Sequence, residues 1–474
     1  MKKIILALLA LIAVAGSADA QTKQITLEDI WAKNTFRPQG ISTIRSMKDG
    51  EHYCVLTRSG IEKYSYKTGE KVDVVCAFKD PMRKKVKPLP PIESYEFSQD
   101  EQKILLSAEF EPIYRHSGVS TYYIYNVADG SMECLTKEGK QRLTTLSPDG
   151  KMVAFVRDNN LYIMALNTLK EIQVTFDGKM NEIINGTTDW VYEEEFAITQ
   201  GFYWSPDSKK IAFYRFDESK VKEFTMQYWG GLYPDNYPYK YPKAGEDNSV
   251  VDVLIYDLAS AKTFKLNIGS ENDQYIPRIK WTQDANTLAV MRMNRLQNNM
   301  ELLLANATTG ALSTLYSEKD EAYVEVPDTW MFLQDGKNWI ITSEKDGFNH
   351  IYLFDTEGKE LRQLTKGNYE VSDILGFYAD RKLIIYSSNE QDPIGKNTYS
   401  LSLKGRRTLL NTEGGWHESS LSPSGRYLCD VYSSPTVIRN TDKIDIKTGK
   451  SIRMHSAQDP WSGYSVPTIK TGTI

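Results

Sequence analysis

A turn of the form apolar residue, Ser, Pro, Asp, Gly recurs along this chain and constrains its fold more than any other feature. The clearest copies are Leu146–Gly150, Trp204–Asp207 and Leu421–Gly425. With five weaker copies, the turns are anchored at positions 49, 100, 149, 207, 284, 335, 380 and 424. Pro, Asp and Gly in this order favour a β-turn between two strands. The chain is therefore predicted to repeat one β-hairpin unit about eight times.

Apolar segments with the length of a β-strand follow most of these turns. They are Met152–Val156, Ile211–Tyr214, Leu288–Met291, Trp339–Ser343, Leu383–Ser387 and Tyr427–Val431. The anchors lie 44 to 77 residues apart, and a four-stranded propeller blade needs roughly 40–50 residues. We therefore predict an all-β fold, a β-propeller of about eight four-stranded blades, over residues 42–462. The alternative is a ring of six or seven blades with one decorated region.

The N-terminus has the pattern of a secretory signal peptide. Lys2 and Lys3 precede an apolar stretch from Ile4 to Ala15, which is too short to span a bilayer comfortably. An Ala-x-Ala site at Ala18–Ala20 predicts that residues 1–20 are removed. An uncleaved N-terminal anchor is the alternative. We expect an exported protein, periplasmic or secreted, that does not associate with a membrane.

Charge and cysteine content narrow the classes of partner. The net charge of −5 is mild, and no basic stripe of the kind that binds nucleic acid is present. The four cysteines, at positions 54, 76, 134 and 429, show no zinc spacing. Cys54 and Cys76 would form a disulfide only if their strands were adjacent, and buried thiols are the alternative. The sequence therefore predicts no nucleic-acid partner, no metal and no cofactor.

Two intervals between turns are long, and the first contains three consecutive glutamates. In the segment Asp189–Phe196, these glutamates lie among Trp, Tyr and Phe side chains, which indicate an anchored segment rather than a solvated acidic run. Asp189 has the position of a helix N-cap. Successive helical residues point roughly 100° apart, so only the neighbouring pairs, Glu193 with Glu194 or Glu194 with Glu195, can share one cation. A short acidic helix that is merely soluble is the alternative.

The segment from Asn185 to Phe196 resembles the double-glutamate motif of the dipeptidyl peptidase IV family, whose members are prolyl oligopeptidase-type serine peptidases. By position, the resemblance implies that Glu194 and Glu195 bind the free α-ammonium of a peptide substrate. Tyr114–Ser117 resembles the family segment that carries an arginine, which implies that Arg115 contacts a substrate carbonyl near the glutamates. An ordinary surface arginine is the alternative. The resemblance covers nearly all of the chain after residue 20 and implies the N-terminal β-propeller domain of such a peptidase.

The second long interval contains an aromatic segment, Phe224–Tyr237, that is too apolar to move freely in water. Either this arm packs on its own blade or it forms an interface. The family extends its fourth blade for dimerisation, so the resemblance implies a homodimer through residues 224–250, with self-packing as the alternative. The lead-in segment, residues 21–41, contains a predicted short capped helix at Thr26–Trp31. By resemblance, this segment packs near the junction with the catalytic domain.

The chain contains no Gly-x-Ser-x-Gly elbow of the α/β-hydrolase that a dipeptidyl peptidase uses for catalysis. The nearest string, Gly463–Pro467, has Pro in place of the last glycine. Residues 463–474 are interpreted as the start of the hydrolase domain or as a tail. None of the five histidines lies in a sequence context that suggests a general base. We therefore expect no catalytic residue in this chain, and no peptide hydrolysis by it alone.

These features predict the substrate-gating, N-terminus-recognising propeller of an exported dipeptidyl peptidase IV-like serine exopeptidase, which releases N-terminal dipeptides with Pro or Ala second. The catalytic hydrolase domain is expected to be absent from this chain, as in a truncated frame, a fragment or a split protein. The alternative is a non-catalytic propeller, resembling the TolB family, that binds a protein, peptide or glycan.

Overall fold

Antiparallel β-sheets provide nearly all of the regular structure, as the sequence predicts. The computed structural model describes residues 22–41, 44–78, 89–470 and 472. Eight sheets in this part of the chain are the blades of a β-propeller, and a ninth is a two-stranded hairpin inserted in blade 4. The all-β, eight-bladed prediction is confirmed. The predicted signal peptide, residues 1–20, lies outside the described residues.

The strands follow chain order from blade to blade. Blades 1 to 3 are β1 (Arg45–Ser46), β2 (His52–Leu56), β3 (Gly60–Ser65), β4 (Lys71–Ala77); β5 (Ile92–Phe97), β6 (Lys103–Pro112), β7 (Gly118–Asn126), β8 (Met132–Cys134); and β9 (Arg142–Leu146), β10 (Met152–Arg157), β11 (Asn160–Ala165), β12 (Lys170–Gln173). Blade 4 is β13 (Ile183–Asn185), β14 (Phe202–Trp204), β15 (Lys210–Asp217), β18 (Val250–Asp257) and β19 (Lys262–Lys265), with the arm hairpin β16 (Glu223–Tyr228) and β17 (Asp235–Lys240).

The second half of the ring is more regular. Blades 5 and 6 are β20 (Gln274–Trp281), β21 (Thr287–Asn294), β22 (Asn299–Asn306), β23 (Leu312–Lys319); and β24 (Trp330–Phe332), β25 (Asn338–Ser343), β26 (His350–Asp355), β27 (Glu360–Gln363). Blades 7 and 8 are β28 (Val371–Tyr378), β29 (Leu383–Ser388), β30 (Asn397–Ser402), β31 (Arg407–Leu409); and β32 (Trp416–Leu421), β33 (Tyr427–Ser434), β34 (Val437–Asp445), β35 (Lys450–Ser456). A short 3₁₀ turn, Ala379–Arg381, joins β28 to β29.

All eight predicted turn anchors lie between the first and second strands of a blade. In blade 3, the Ser147 hydroxyl donates to Asp149 at 2.7 Å and accepts the Met152 N–H at 3.0 Å. Gly150 then takes a φ of +66°, which favours glycine. The Ser and Asp side chains therefore hold the turn closed, and the same pair is bonded in blades 2 and 4.

Blade 4 departs from the four-stranded pattern because its first strand is interrupted. Both β13 and β14 pair with β15, at Ile183–Asn185 against its end and Phe202–Trp204 against its start. The intervening residues contain a short helix, α1 (Trp190–Glu194). This insertion accounts for the first long interval of the sequence, and the β16–β17 arm accounts for the second.

Tyrosine and tryptophan side chains connect neighbouring blades. Trp281 in blade 5 donates its indole N–H to the Tyr203 carbonyl in blade 4 at 2.9 Å. Tyr214 in blade 4 donates to the Ile276 carbonyl in blade 5 at 3.0 Å. These two side chains bury large apolar rings and still satisfy their polar atoms.

The ring closes through side chains of blades 1 and 8. The Tyr66 and Tyr427 rings stack with centroids 5.3 Å apart, and Glu51 accepts hydrogen bonds from Tyr427 and Arg426, both at 2.8 Å. A Cβ added at Gly50 would lie 2.1 Å from the Ser424 hydroxyl oxygen. Each of these two sheets is built from consecutive strands, so the first and last blades do not share a strand. These side-chain contacts join them tightly instead.

The lead-in segment packs against the end of the propeller. Its predicted helix is a five-residue π-helical turn, Glu28–Ala32, and the Thr26 hydroxyl accepts the Asp29 N–H at 3.1 Å. Phe36 stacks on Trp461 with centroids 4.0 Å apart. Within the described ranges, no helix is long and apolar enough to cross a membrane.

Cys54 and Cys76 do not form the disulfide that the sequence left open. Cys54 lies on β2 and Cys76 on β4, with β3 between them. Strands in a sheet lie about 4.8 Å apart, so the two residues are separated by more than a disulfide spans. Both side chains are buried, and burial raises the pKa of the Cys54 thiol to about 12.

Candidate functional site

The helix that carries the three glutamates begins at a buried carboxylate. Asp189 has an extended backbone, and its side chain accepts the Tyr192 N–H at 2.9 Å, as an N-cap does. Its second oxygen accepts the Ser249 hydroxyl at 2.6 Å. Burial raises the pKa of Asp189 despite these bonds. The predicted N-cap is confirmed, and it fixes where α1 starts.

Aromatic side chains anchor α1 to the blade beneath it. Tyr192 is buried, packs edge-on against Phe216 at 4.8 Å and accepts the Ile276 N–H through its hydroxyl at 2.8 Å. Phe196 is buried against Tyr275, with centroids 5.1 Å apart. The segment is therefore an anchored one, and the alternative of a merely soluble acidic helix is wrong.

The three consecutive glutamates occupy three different environments. Glu193 is fully buried, and one of its carboxylate oxygens accepts the N–H groups of His116 and Ser117 at 2.8 and 2.9 Å. Glu194 is largely covered, with 14% of its side chain exposed. Glu195 follows at the C-cap and is exposed. Only the second and third acids remain reachable from solvent, in agreement with the divergence that helical spacing predicts.

Arg115 reaches this helix from a different blade. It lies in the turn between β6 and β7 of blade 2, and its Nε is 3.3 Å from a Glu194 carboxylate oxygen. With 73% of its side chain exposed, Arg115 is held by few contacts of its own. The structure thus brings together Arg115 and Glu194, with Glu195 next in the chain. Their roles as substrate-binding residues remain predictions.

Two tyrosines that the sequence did not single out interact electrostatically with the acids. Tyr239, on the arm strand β17, is buried, and burial together with neighbouring tyrosines and Glu194 raises its pKa. Tyr323 lies between blades 5 and 6, and burial together with nearby acids, including Glu195, raises its pKa. Both side chains come from segments distant in sequence, so no local pattern could have identified them.

A cavity of about 490 Å³ adjoins the N-terminal end of α1. Its lining includes Tyr114, Arg142, Asp189, Trp190, Glu218 and Tyr237, but none of Arg115, Glu194 and Glu195. Burial, and then the negative charge of Asp189, raises the pKa of Glu218 to about 7. The cavity is therefore a neighbour of the acidic site rather than the site itself, and we assign it no ligand.

The arm packs at its root and is exposed at its tip. Trp190 of α1 contacts Tyr241 with ring centroids 4.2 Å apart, and Tyr114 contacts Tyr239 at 5.8 Å. By contrast, Leu232 and Tyr233 at the tip are 94% and 86% exposed. Self-packing is thus correct for the root, which supports both sides of the acidic site, while the described residues leave Leu232 and Tyr233 at the tip uncovered.

Two sets of side chains that resemble parts of a serine-hydrolase site do not have the geometry for acyl transfer. His417 is buried, and its Nδ1 lies 2.8 Å from Asp430. Ser419 also bonds Asp430, at 2.8 Å, and the His417 Nε2 lies against the Glu413 carbonyl. The hydroxyl therefore contacts the acid and not the imidazole, so no base activates it. Ser465, in the Gly463–Pro467 segment, lies in irregular structure and donates its backbone N–H to the Lys23 carbonyl.

No group of three or more His, Cys, Asp or Glu side chains in the described ranges is arranged to hold a metal ion. Glu194, which is largely covered, and the exposed Glu195 are instead suited to an organic cation, because two carboxylates can accept several charge-assisted hydrogen bonds from one ammonium.

Comparison with known proteins shows which family this chain resembles. The sequence-family model described as dipeptidyl peptidase IV (DPP IV) N-terminal region matches residues 98–439 of this chain. Dipeptidyl peptidase 4 of Porphyromonas gingivalis is similar in structure, with a TM-score of 0.85 and 37% identity, over 93% of this chain and 63% of that chain. A putative dipeptidyl aminopeptidase IV of Bacteroides ovatus gives a TM-score of 0.79 and 28% identity, over 96% of this chain and 65% of that chain.

Curated relatives are longer than this chain. A probable dipeptidyl-aminopeptidase B of Pyrenophora teres f. teres is 32% identical over an alignment of 376 residues that covers 72% of this chain and 41% of that protein. A second, of Phaeosphaeria nodorum, is 30% identical over an alignment of 418 residues that covers 80% of this chain and 46% of that protein. The chain therefore spans less than half the length of these relatives.

Proposed function

Because this chain belongs to the dipeptidyl peptidase IV family and contains its N-terminal β-propeller, we propose that it recognises the free N-terminus of peptide substrates. Glu194 and Glu195 bind the α-ammonium, and Arg115 binds a backbone carbonyl of the same peptide. The observation that carries this proposal is the meeting of Arg115 from blade 2 with Glu194 from blade 4, beside the exposed Glu195. An acid pair next to a guanidinium matches the ammonium and first carbonyl of a peptide.

The electrostatics favour a cation at this position. Neighbouring carboxylates repel one another when ionised, and a cation between them relieves that repulsion. In the structure, the Arg115 guanidinium lies against Glu194; in the bound complex, the ammonium takes this place and Arg115 turns to the carbonyl. A free α-amine has a pKa of about 7.7–8.0, so most peptides carry the required charge at neutral pH.

We propose that this recognition serves an exported serine exopeptidase that removes N-terminal dipeptides with Pro or Ala in second position. Because the clamp would hold the α-ammonium at a fixed distance from the scissile bond, each cleavage would release two residues. The nucleophile would belong to a hydrolase domain outside residues 42–462, with 21–41 as the lead-in and 463–474 approaching the junction. Residues 1–20 would direct export, and the propeller would admit peptides rather than folded proteins.

Titration calorimetry of single variants with the dipeptide Ala-Pro tests the assigned residues. We expect Glu194→Ala and Glu195→Ala each to weaken binding by about 10- to 100-fold, since each removes charge-assisted hydrogen bonds. Arg115→Ala should weaken it by about tenfold. Glu195→Ala should barely change the melting temperature, because its side chain is exposed.

Glu357→Ala provides the matched control, since Glu357 is an exposed glutamate in blade 6. It should bind Ala-Pro as the parent chain does. Unchanged affinity in both Glu194→Ala and Glu195→Ala would exclude the ammonium clamp.

A further inference from the structure

Glu193 links two parts of the acidic site that come from different blades. One oxygen of its carboxylate accepts the backbone N–H groups of His116 and Ser117, at 2.8 and 2.9 Å. These two residues directly follow Arg115 in the chain. Glu193 itself directly precedes Glu194 on α1. A single buried carboxylate therefore joins the backbone beside the arginine to the helix that carries the acids.

The burial of Glu193 makes this link strong. Its side chain is fully buried, and a buried carboxylate is costly unless N–H groups and a positive charge compensate it. The two N–H groups provide part of that compensation. Arg142 provides charge: burial lowers its pKa, and the Glu193 carboxylate opposes this effect. The remaining Glu193 oxygen and the Arg142 Nε have no hydrogen-bond partner among the described protein atoms.

The contacts of Arg115 itself are too weak to fix its position. Its side chain is mostly exposed, and its 3.3 Å contact with Glu194 is a surface ion pair, which typically contributes about 0–1 kcal/mol. The turn has some internal bonds, such as Ile113 N–H to the Ser117 carbonyl at 2.8 Å. These bonds shape the turn but do not attach it to α1. The two bonds to Glu193 are its direct hydrogen-bonded attachment there.

We propose that Glu193 is a positioning residue for substrate recognition. It attaches the turn that carries Arg115 to α1, so that Arg115 and Glu194 can bind the same peptide. This inference rests on the proposed function of Arg115 and Glu194. Glu193 does not touch the substrate in this account. Glu193 thus bonds to the protein backbone, whereas Glu194 and Glu195 bind the ligand.

Amide hydrogen exchange of the 474-residue chain, without ligand, tests the attachment. In Glu193→Ala, exchange at the His116 and Ser117 amides should accelerate at least about tenfold, since bonds to a charged acceptor are lost. Glu193→Gln keeps the shape and a neutral acceptor, so a smaller acceleration is expected. If Glu193→Ala does not fold, the comparison rests on Glu193→Gln.

Asp430→Asn is the control for general loss of stability, because it perturbs a buried acid in blade 8. It should lower the melting temperature and leave exchange at His116 and Ser117 unchanged. Unchanged exchange at these two amides in the folded Glu193 variants would overturn the proposal, as would equal acceleration in Asp430→Asn.

A double-mutant cycle on Ala-Pro affinity then tests whether Glu193 acts through Arg115. Glu193→Ala alone should weaken binding by about tenfold, and Arg115→Ala by a similar factor. The double variant should bind no more weakly than Arg115→Ala, and Glu193→Gln should restore part of the loss. Additive losses would overturn the positioning role. If the parent chain does not bind Ala-Pro, the proposed function fails, whereas the exchange experiment still decides whether Glu193 holds the turn.

Discussion

At the scale of single residues, burial determines what each acid of the 193–195 run can do. Glu193 is enclosed and bonded to backbone N–H groups, whereas Glu195 is open to solvent. The sequence predicted Asp189 as the N-cap and the divergence of the glutamates, because both follow from local helix geometry. It could not predict the partner of Glu193, because that partner lies in a turn about 77 residues earlier. Such contacts depend on how blades 2 and 4 are arranged in the ring.

Glu218 provides a pH-dependent test of the same region. Its folded-state pKa is raised to about 7 from an ordinary value of 4.5, by burial and by Asp189. The folded chain therefore binds this proton more tightly than the unfolded chain does. The free energy of unfolding falls as pH rises from about 4.5 to about 7. The whole change is about 3 kcal/mol at most.

Glu218→Gln removes this ionisation, so we expect the variant to match the parent chain near pH 4.5 and to exceed it above pH 7. Thermal melts at pH 5 and pH 8 measure the difference, with an increase of a few degrees expected only at pH 8. Glu357→Gln, at an exposed position, should change neither melt. A variant that is equally stabilised at both pH values would show that Glu218 is not titrating in this range.

At the scale of elements, two insertions into blade 4 build the site. The first interrupts the first strand of the blade between β13 and β14 and contains α1; the second is the β16–β17 arm. The spacing of the turn anchors predicted both, since these two intervals are the longest. The sequence did not predict that the arm root would pack on Trp190 and Tyr114. The aromatic residues indicated that the arm would be buried or would form an interface. They did not indicate that the root would be packed and the tip exposed.

We propose that the exposed arm tip mediates homodimerisation. Trp229, Leu232 and Tyr233 are 67%, 94% and 86% exposed, and contiguous exposed apolar side chains favour association. Replacing all three by serine should convert a dimer to a monomer in sedimentation velocity, without lowering the melting temperature. Leu296→Ser changes a leucine outside the arm that is 75% exposed and should leave the dimer intact. A parent chain that sediments as a monomer at tens of micromolar would contradict the proposal.

At the scale of the whole molecule, the eight blades act as a frame that brings distant segments together. The site draws Arg115 from blade 2 and Glu194 from blade 4. Ring closure between blades 1 and 8 holds these segments at fixed separations. Counting turn anchors predicted the number of blades, because a turn of related sequence lies between the first two strands of each blade. Which side chains meet is set by the closed ring, and only the family resemblance indicated Arg115 with the glutamates.

The central claim is that this propeller recognises a free α-ammonium, and the most direct test compares two ligands that differ only there. Titration calorimetry at pH 7 would measure the affinity of the 474-residue chain for Ala-Pro and for N-acetyl-Ala-Pro. We predict that acetylation weakens binding at least about tenfold, because it removes the positive charge that Glu194 and Glu195 bind. In Glu194→Ala/Glu195→Ala, the two ligands should bind alike. Equal affinities of the parent chain for the free and the acetylated dipeptide would contradict the account.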